Sequence, residues 1–206
     1  MRWNQTKQWL AGCGLTMGLV MGLVMQAQAT EVAGVKLEDN IQLANTDLKL
    51  NGAGIRYKAI FKVYVAGLYL KEKKTTVPDV LAAPGPRRVT IVMLRDLSNE
   101  DFGRGFMQGI QQNTDKAEKA KLTAQFLRFG ELFASVPELK KGDVMTNDWI
   151  PGVGTVLTLN GKKLGEPYPD LAFYNALLRI WLGDSPVDKG LKKAMLAEPD
   201  DRGNYR

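Results

Sequence analysis

Ile55-Arg56-Tyr57-Lys58 and, one residue further, Ile60-Phe61-Lys62-Val63-Tyr64-Val65-Ala66-Gly67-Leu68-Tyr69-Leu70-Lys71 decide the fold. Both runs are rich in Ile, Val, Tyr and Phe, whose shapes suit a pleated, half-buried surface. From Val63 onward the second run is apolar on both faces, as in a central strand covered on both sides. Upstream, Val35, Leu37, Ile41, Leu43, Leu48 and Leu50 keep an intermittent period of two between Asn, Asp and Gly. That pattern predicts two short strands within residues 33–50.

Downstream, Pro84-Gly85-Pro86 marks a turn, and Arg88 to Leu94 reads as another buried strand. Ser98 with Asp101 three residues on is a helix start, after which Phe102, Phe106 and Ile110 share one helical face. Gly103, Gly105 and Gly109 weaken that helix and point to close approach by a strand, a ligand or a second helix. A second helix is expected over Ala117 to Ala134, with Leu122, Phe126, Phe129 and Phe133 inward and Pro137 ending it.

Strands follow at Asp143 to Ile150 and Thr155 to Leu159, and Asn160-Gly161 is a two-residue hairpin signal leading into Lys162 to Leu164. Asp170 opens a helix carrying Ala172, Phe173, Ala176, Leu177 and Ile180 inward, closed by Gly183 at its C-cap. Ser185-Pro186 starts the last helix. This order predicts an α+β domain: an antiparallel β-sheet with a layer of α-helices on one face.

The amino terminus has Arg2 and Lys7, an apolar run of 16 residues from Leu10 to Met25, and Ala27-Gln28-Ala29. Those are the charge, apolar core and small-residue cleavage site of an export signal. A spanning helix needs about 20 apolar residues, so the reading is a leader over 1–29, cut after Ala29, with one domain over 30–206. Leu10-Ala11-Gly12-Cys13 has the residue types of a lipoprotein site, but most of the apolar run follows Cys13. The expected location is periplasmic or secreted, with no stable membrane span once the leader is gone.

The chain has no histidine, and its one cysteine lies in the leader. Thiol and Ser-His-Asp mechanisms, disulfides and Cys/His metal sites are thereby excluded, and no cofactor or metal is expected. The net charge of +6 falls by two with Arg2 and Lys7, and the remaining basic residues are scattered, which argues against nucleic acid. Lys71 to Lys74, Lys140-Lys141 and Lys192-Lys193 read as solvated charge. Nothing in the sequence shows Asp143 and Asp148 converging as a catalytic pair.

The stretch Leu50-Asn51-Gly52-Ala53-Gly54-Ile55-Arg56, followed by Lys62 to Leu70, resembles the chalcone isomerase-like superfamily and its exported bacterial branch. Leu97 to Phe102 and Leu177 to Gly183 support the resemblance, which extends from about Val35 to Leu196. It implies an elongated apolar cleft between sheet and helices. In the plant isomerases the cleft holds a chalcone; in plastid fatty-acid-binding relatives it holds a fatty acid whose carboxylate meets an arginine and a tyrosine.

Arg56 falls on the arginine of both groups, and a guanidinium offers a planar fork to a carboxylate or an enolate oxygen. Tyr64 falls where the isomerases have threonine and the fatty-acid binders tyrosine. On spacing alone, Arg56 reads as a solvent-facing strand arginine and Tyr64 as a core tyrosine. Phe102 and Gly109 stand where the isomerases have a tyrosine and an asparagine, and Tyr174 replaces a small hydroxyl residue.

Three functions are therefore weighed. The first is a non-catalytic binder of an apolar carboxylic acid or aromatic ligand, with Arg56 and Tyr64 on the head group and Phe61, Phe102, Phe106 and Tyr174 along the cleft. The second is an intramolecular lyase or isomerase in which Arg56 and Tyr64 stabilise an enolate. The third is a protein-interaction module using Glu100, Asp101 and Arg104 or the basic clusters.

Overall fold

A computed structural model describes residues 28–136 and 138–198. Nearly all of the expected leader, including Cys13, lies outside these residues, as does Pro137. Strands β1 (Ala29–Val32) and β2 (Val35–Glu38) form a separate hairpin. The strands β3 (Asn40–Leu43), β4 (Thr46–Lys58), β5 (Phe61–Leu70), β6 (Arg87–Met93), β7 (Val144–Ile150), β8 (Gly154–Leu159) and β9 (Lys162–Tyr168) form a seven-stranded sheet. Each pairs antiparallel with the next in chain order.

Three helices are inserted into this meander and two follow it. Helix α1 (Val77–Leu81) lies between β5 and β6, α2 (Asn99–Asn113) and α3 (Lys116–Ser135) between β6 and β7, and α4 (Leu171–Leu182) and α5 (Lys189–Met195) follow β9. Alternation along β5 sends Tyr64, Ala66, Leu68 and Leu70 to the helices, where they join the main core with Phe129, Phe173, Leu177 and Trp181. Val65 and Tyr69 face the other way and pack with Leu37, Leu43, Leu48 and Leu50. The opposite face of the sheet thus closes partly under the β1–β2 hairpin, which explains why β5 is apolar on both sides.

Several local expectations hold with their causes visible. Ser98 caps α2 by accepting from the Asp101 amide at 3.1 Å. Asn160 and Gly161 take φ of 50° and 78°, the left-handed pair of a tight hairpin. Other boundaries move. Asn51-Gly52 does not separate two strands: β4 runs through it as a bulge, and the Asn51 side chain ties Lys74 and the Met195 carbonyl to the sheet. The last helix starts at Lys189 rather than at Ser185-Pro186, because the Asp188 carboxylate caps it at the Leu191 amide. Gly183 is a C-cap with φ −70°, outside the left-handed region; glycine is needed because a Cβ there would lie 2.2 Å from Asn113 Oδ1.

Candidate ligand site

Arg56 and Tyr64 are direct partners across the β4–β5 ladder. Tyr64 is only 1% exposed, and its Oη accepts a hydrogen bond of 2.9 Å from Trp181 Nε1. With that acceptor position filled, its own O–H is left to donate. Burial pushes the phenol above its ordinary pKa, outweighing the Arg56 guanidinium and the Trp181 N–H, both of which favour the phenolate. Tyr64 is therefore a protonated donor throughout the neutral range.

The Arg56 guanidinium carbon lies 5.4 Å from the centre of the Tyr64 ring. A Cβ on Gly105 would be 3.8 Å from Arg56 Nη2, so the fork lies beside the α2 backbone, between sheet and helix. Arg56 Nε is buried without a protein hydrogen-bond partner, and no described carboxylate forms an ion pair with this residue. Buried N–H groups are almost always paired, so an unpartnered guanidinium N–H beside a donor phenol suits an acidic oxygen.

Phe102 and Phe106 extend the site. Their rings are 4.6 Å apart, and Phe106 meets Trp181 edge-on at 5.4 Å. Phe102, Phe106, Trp181, Tyr64 and Arg56 form one contiguous set. Trp181 was not expected from sequence, since Ile180-Trp181-Leu182 reads simply as core. The available signal was that a buried indole needs an acceptor and a buried phenol a partner. Phe133 closes the set from α3, at 5.5 Å from Phe102 and 5.6 Å from Phe106. Outside it, a groove of about 510 Å³ runs between α2 and α3, lined by Gly103, Met107, Gly130, Phe133 and Ala134 with Glu100 and Arg104 at its rim.

Two expected residues stand elsewhere. Tyr174 precedes Trp181 by seven residues, about 10 Å along α4, and packs against Trp149 at 6.1 Å with the Arg87 guanidinium 5.0 Å from its ring centre. Arg87 is itself buried and donates to the carbonyls of Val80 and Leu81 and to Asn175. Phe61 does not line the interior: it sits at the β4–β5 tip, 54% exposed, under Arg95. Gly109 brings α2 onto α4, since a Cβ there would meet Ile180 at 2.8 Å. Asp148 pairs with Arg88 through two bonds of 2.6 and 2.5 Å and makes no bond to Asp143. Among the described residues no cluster of His, Cys, Asp or Glu suits a metal.

The sequence matches the family model described as chalcone isomerase-like over residues 29–197, and the chain belongs to that family. Among solved structures, a crystal structure of a fatty-acid binding protein of Arabidopsis thaliana superposes with a TM-score of 0.66 at 15% identity, covering 82% of this chain and 96% of that one. At that identity the likeness is one of fold. A search of curated proteins finds no significant match.

Proposed function

We propose that this protein is an exported, non-catalytic binder of a fatty acid or similar apolar carboxylic acid. The observation that carries the reading is the unpartnered Arg56 Nε–H beside the buried donor Tyr64. The carboxylate would take the guanidinium and the phenolic O–H together, and the apolar chain would pass among Phe102, Phe106 and Phe133 toward the α2–α3 groove. A few polar groups beside apolar side chains are the usual make-up of such a site, and the groove on the far side of Phe133, about 510 Å³, has the volume to take an acyl chain. The Arabidopsis structure, that of a fatty-acid binding protein, supports the same ligand class. The leader over residues 1–29, with cleavage after Ala29, belongs to this proposal and would place the binder in a periplasmic or extracellular space.

The test is fluorescence titration with a long-chain fatty acid, on the purified wild type and on Arg56→Ala. A charge-assisted hydrogen bond contributes about 1.5–3 kcal/mol, so affinity should fall at least about tenfold while the melting temperature of the unliganded protein changes little. A variant that binds as tightly as wild type, or one that loses stability in parallel with affinity, would show Arg56 to be structural.

A further inference from the structure

The fold leaves the tip of the β4–β5 hairpin bare. Ile60 is 84% exposed, Phe61 54% and Tyr57 43%, all within five consecutive positions. Single apolar residues on a surface are ordinary; three gathered on one convex turn are not. Ala59 holds φ at 53°, which makes the turn tight and leaves Ile60 projecting beyond the sheet.

The apolar tip is ringed by positive charge. Lys58 and Lys62 are exposed on either side, and exposed Arg95 sets its guanidinium 4.8 Å from the centre of the Phe61 ring. No described carboxylate forms an ion pair with Lys58, Lys62 or Arg95. Acids close to the tip are engaged elsewhere: Asp188 accepts from the Tyr57 and Leu191 amides, and Asp96 from the Lys141 amide and from Lys140.

We propose that this hairpin tip docks the protein on an anionic lipid surface. Ile60 and Phe61 enter the boundary between headgroups and acyl chains, while Lys58, Lys62 and Arg95 meet the lipid phosphates. A folded protein partner would need about 800 Å² of complementary surface, which a two-strand tip does not offer. A lipid interface needs only a projecting apolar wedge with basic side chains at headgroup depth. Each lysine or arginine near such a surface strengthens binding about fivefold. Arg56 and Tyr64 pair just inside the same turn, the third pair from the tip, so docking brings the proposed acid site beside the lipid. The docking itself goes beyond the fatty-acid reading and stands without it.

Co-sedimentation of the purified chain with vesicles tests this. Vesicles of phosphatidylglycerol and phosphatidylcholine in equal parts should bind it and release it with salt, and vesicles of phosphatidylcholine alone should bind it weakly. Ile60→Ser with Phe61→Ser should lower partitioning at least about tenfold, and Lys58→Gln, Lys62→Gln and Arg95→Gln together about a hundredfold. These positions are exposed, so circular dichroism should show every variant folded. Fatty-acid titration of the tip variants without vesicles reads the Arg56 site separately and should match wild type. Equal binding to neutral vesicles, tip variants that bind like wild type, or capture by an acidic polypeptide but not by vesicles would each overturn the proposal.

Discussion

Replacing Trp181 by Phe removes the N–H that Tyr64 accepts at 2.9 Å while keeping most of the ring volume. Both residues are buried, so no bulk water replaces the donor. A buried polar group left unsatisfied costs about 1–3 kcal/mol, and the edge contact with Phe106 adds a smaller loss. Tyr64→Phe has the mirror consequence, since it strands the Trp181 N–H in the same place. In the double variant neither partner is stranded, and its loss should be smaller than the sum of the singles by about 1–2 kcal/mol. For a chain of this size 1 kcal/mol shifts the melting temperature by about 2–4 °C, so a single variant losing about 2 kcal/mol should melt about 4–8 °C lower. Urea unfolding followed by far-ultraviolet circular dichroism reads all four proteins without relying on tryptophan emission. Strict additivity of the two substitutions would mean that the hydrogen bond does not couple them, and Tyr64 would then lack the fixed orientation its donor role needs.

Gly183→Ala should destabilise the protein by about 2 kcal/mol or more, because its Cβ would meet Asn113 Oδ1 at 2.2 Å and the Arg179 carbonyl at 2.6 Å; Gly130→Ala, open on α3, should instead stabilise it by about 0.5–1 kcal/mol in the same denaturant assay. Burial raises the phenols of Tyr64 and Tyr174, and that of Tyr69 to about 12. Their stabilising effect is therefore full below about pH 10 and is lost as pH rises above it, where the unfolded chain releases protons that the native state retains; tyrosinate absorbance from Tyr64 and Tyr174 should appear only with unfolding. Chalcone cyclisation should not exceed the uncatalysed rate, since Phe102 offers no donor where the isomerases have a tyrosine, a loss of about a hundredfold or more, and Tyr64 fills the room that a smaller hydroxyl residue leaves for the substrate ring; saturable cyclisation abolished by Arg56→Ala would overturn the binding reading.

The architecture was legible because β5 states its environment in residue types alone, apolar on two faces where most strands alternate. Capping signals worked where the side chain itself makes the bond, as at Ser98. Turn signals misled where a tertiary contact decided the matter. Asn51-Gly52 has turn residues but is held in β4 by bonds to Lys74 and Met195, which no local window contains. Helix α1, five residues long, is not legible in the sequence although Thr76, Pro78 and Asp79 carry its start signal, because so short a helix has no apolar period. At the site, Arg56 and Tyr64 could be named only through the family resemblance, since spacing alone makes them a solvent-facing arginine and a core tyrosine; their pairing across β4 and β5 belongs to the fold. Trp181 comes from 117 residues further along the chain, and only the fold brings it to Tyr64.

What brings it there is the absence of side chains at a few positions. Gly109 lets α2 settle onto Ile180, the neighbour of Trp181 on α4, at a distance where any Cβ would clash at 2.8 Å. Gly183 lets the end of α4 seat against Asn113, whose amide also bonds Gly109 and Ser185, so the two glycines fix one helix against the other from both sides. Gly52 and Gly54 do the same for the sheet, where a Cβ would meet the Ala194 carbonyl at 2.0 Å and the Ala194 Cβ at 2.6 Å. With α5 held that close, the Asp188 cap reaches the Tyr57 amide at 2.9 Å, one residue past Arg56. Adding a methyl at Gly109 or Gly54 would therefore push Trp181 from Tyr64, or the α5 start from Arg56, without touching any polar residue of the site. The sequence Leu50 to Arg56 owes its glycines to this packing, and the packing is what holds the Arg56 fork beside α2.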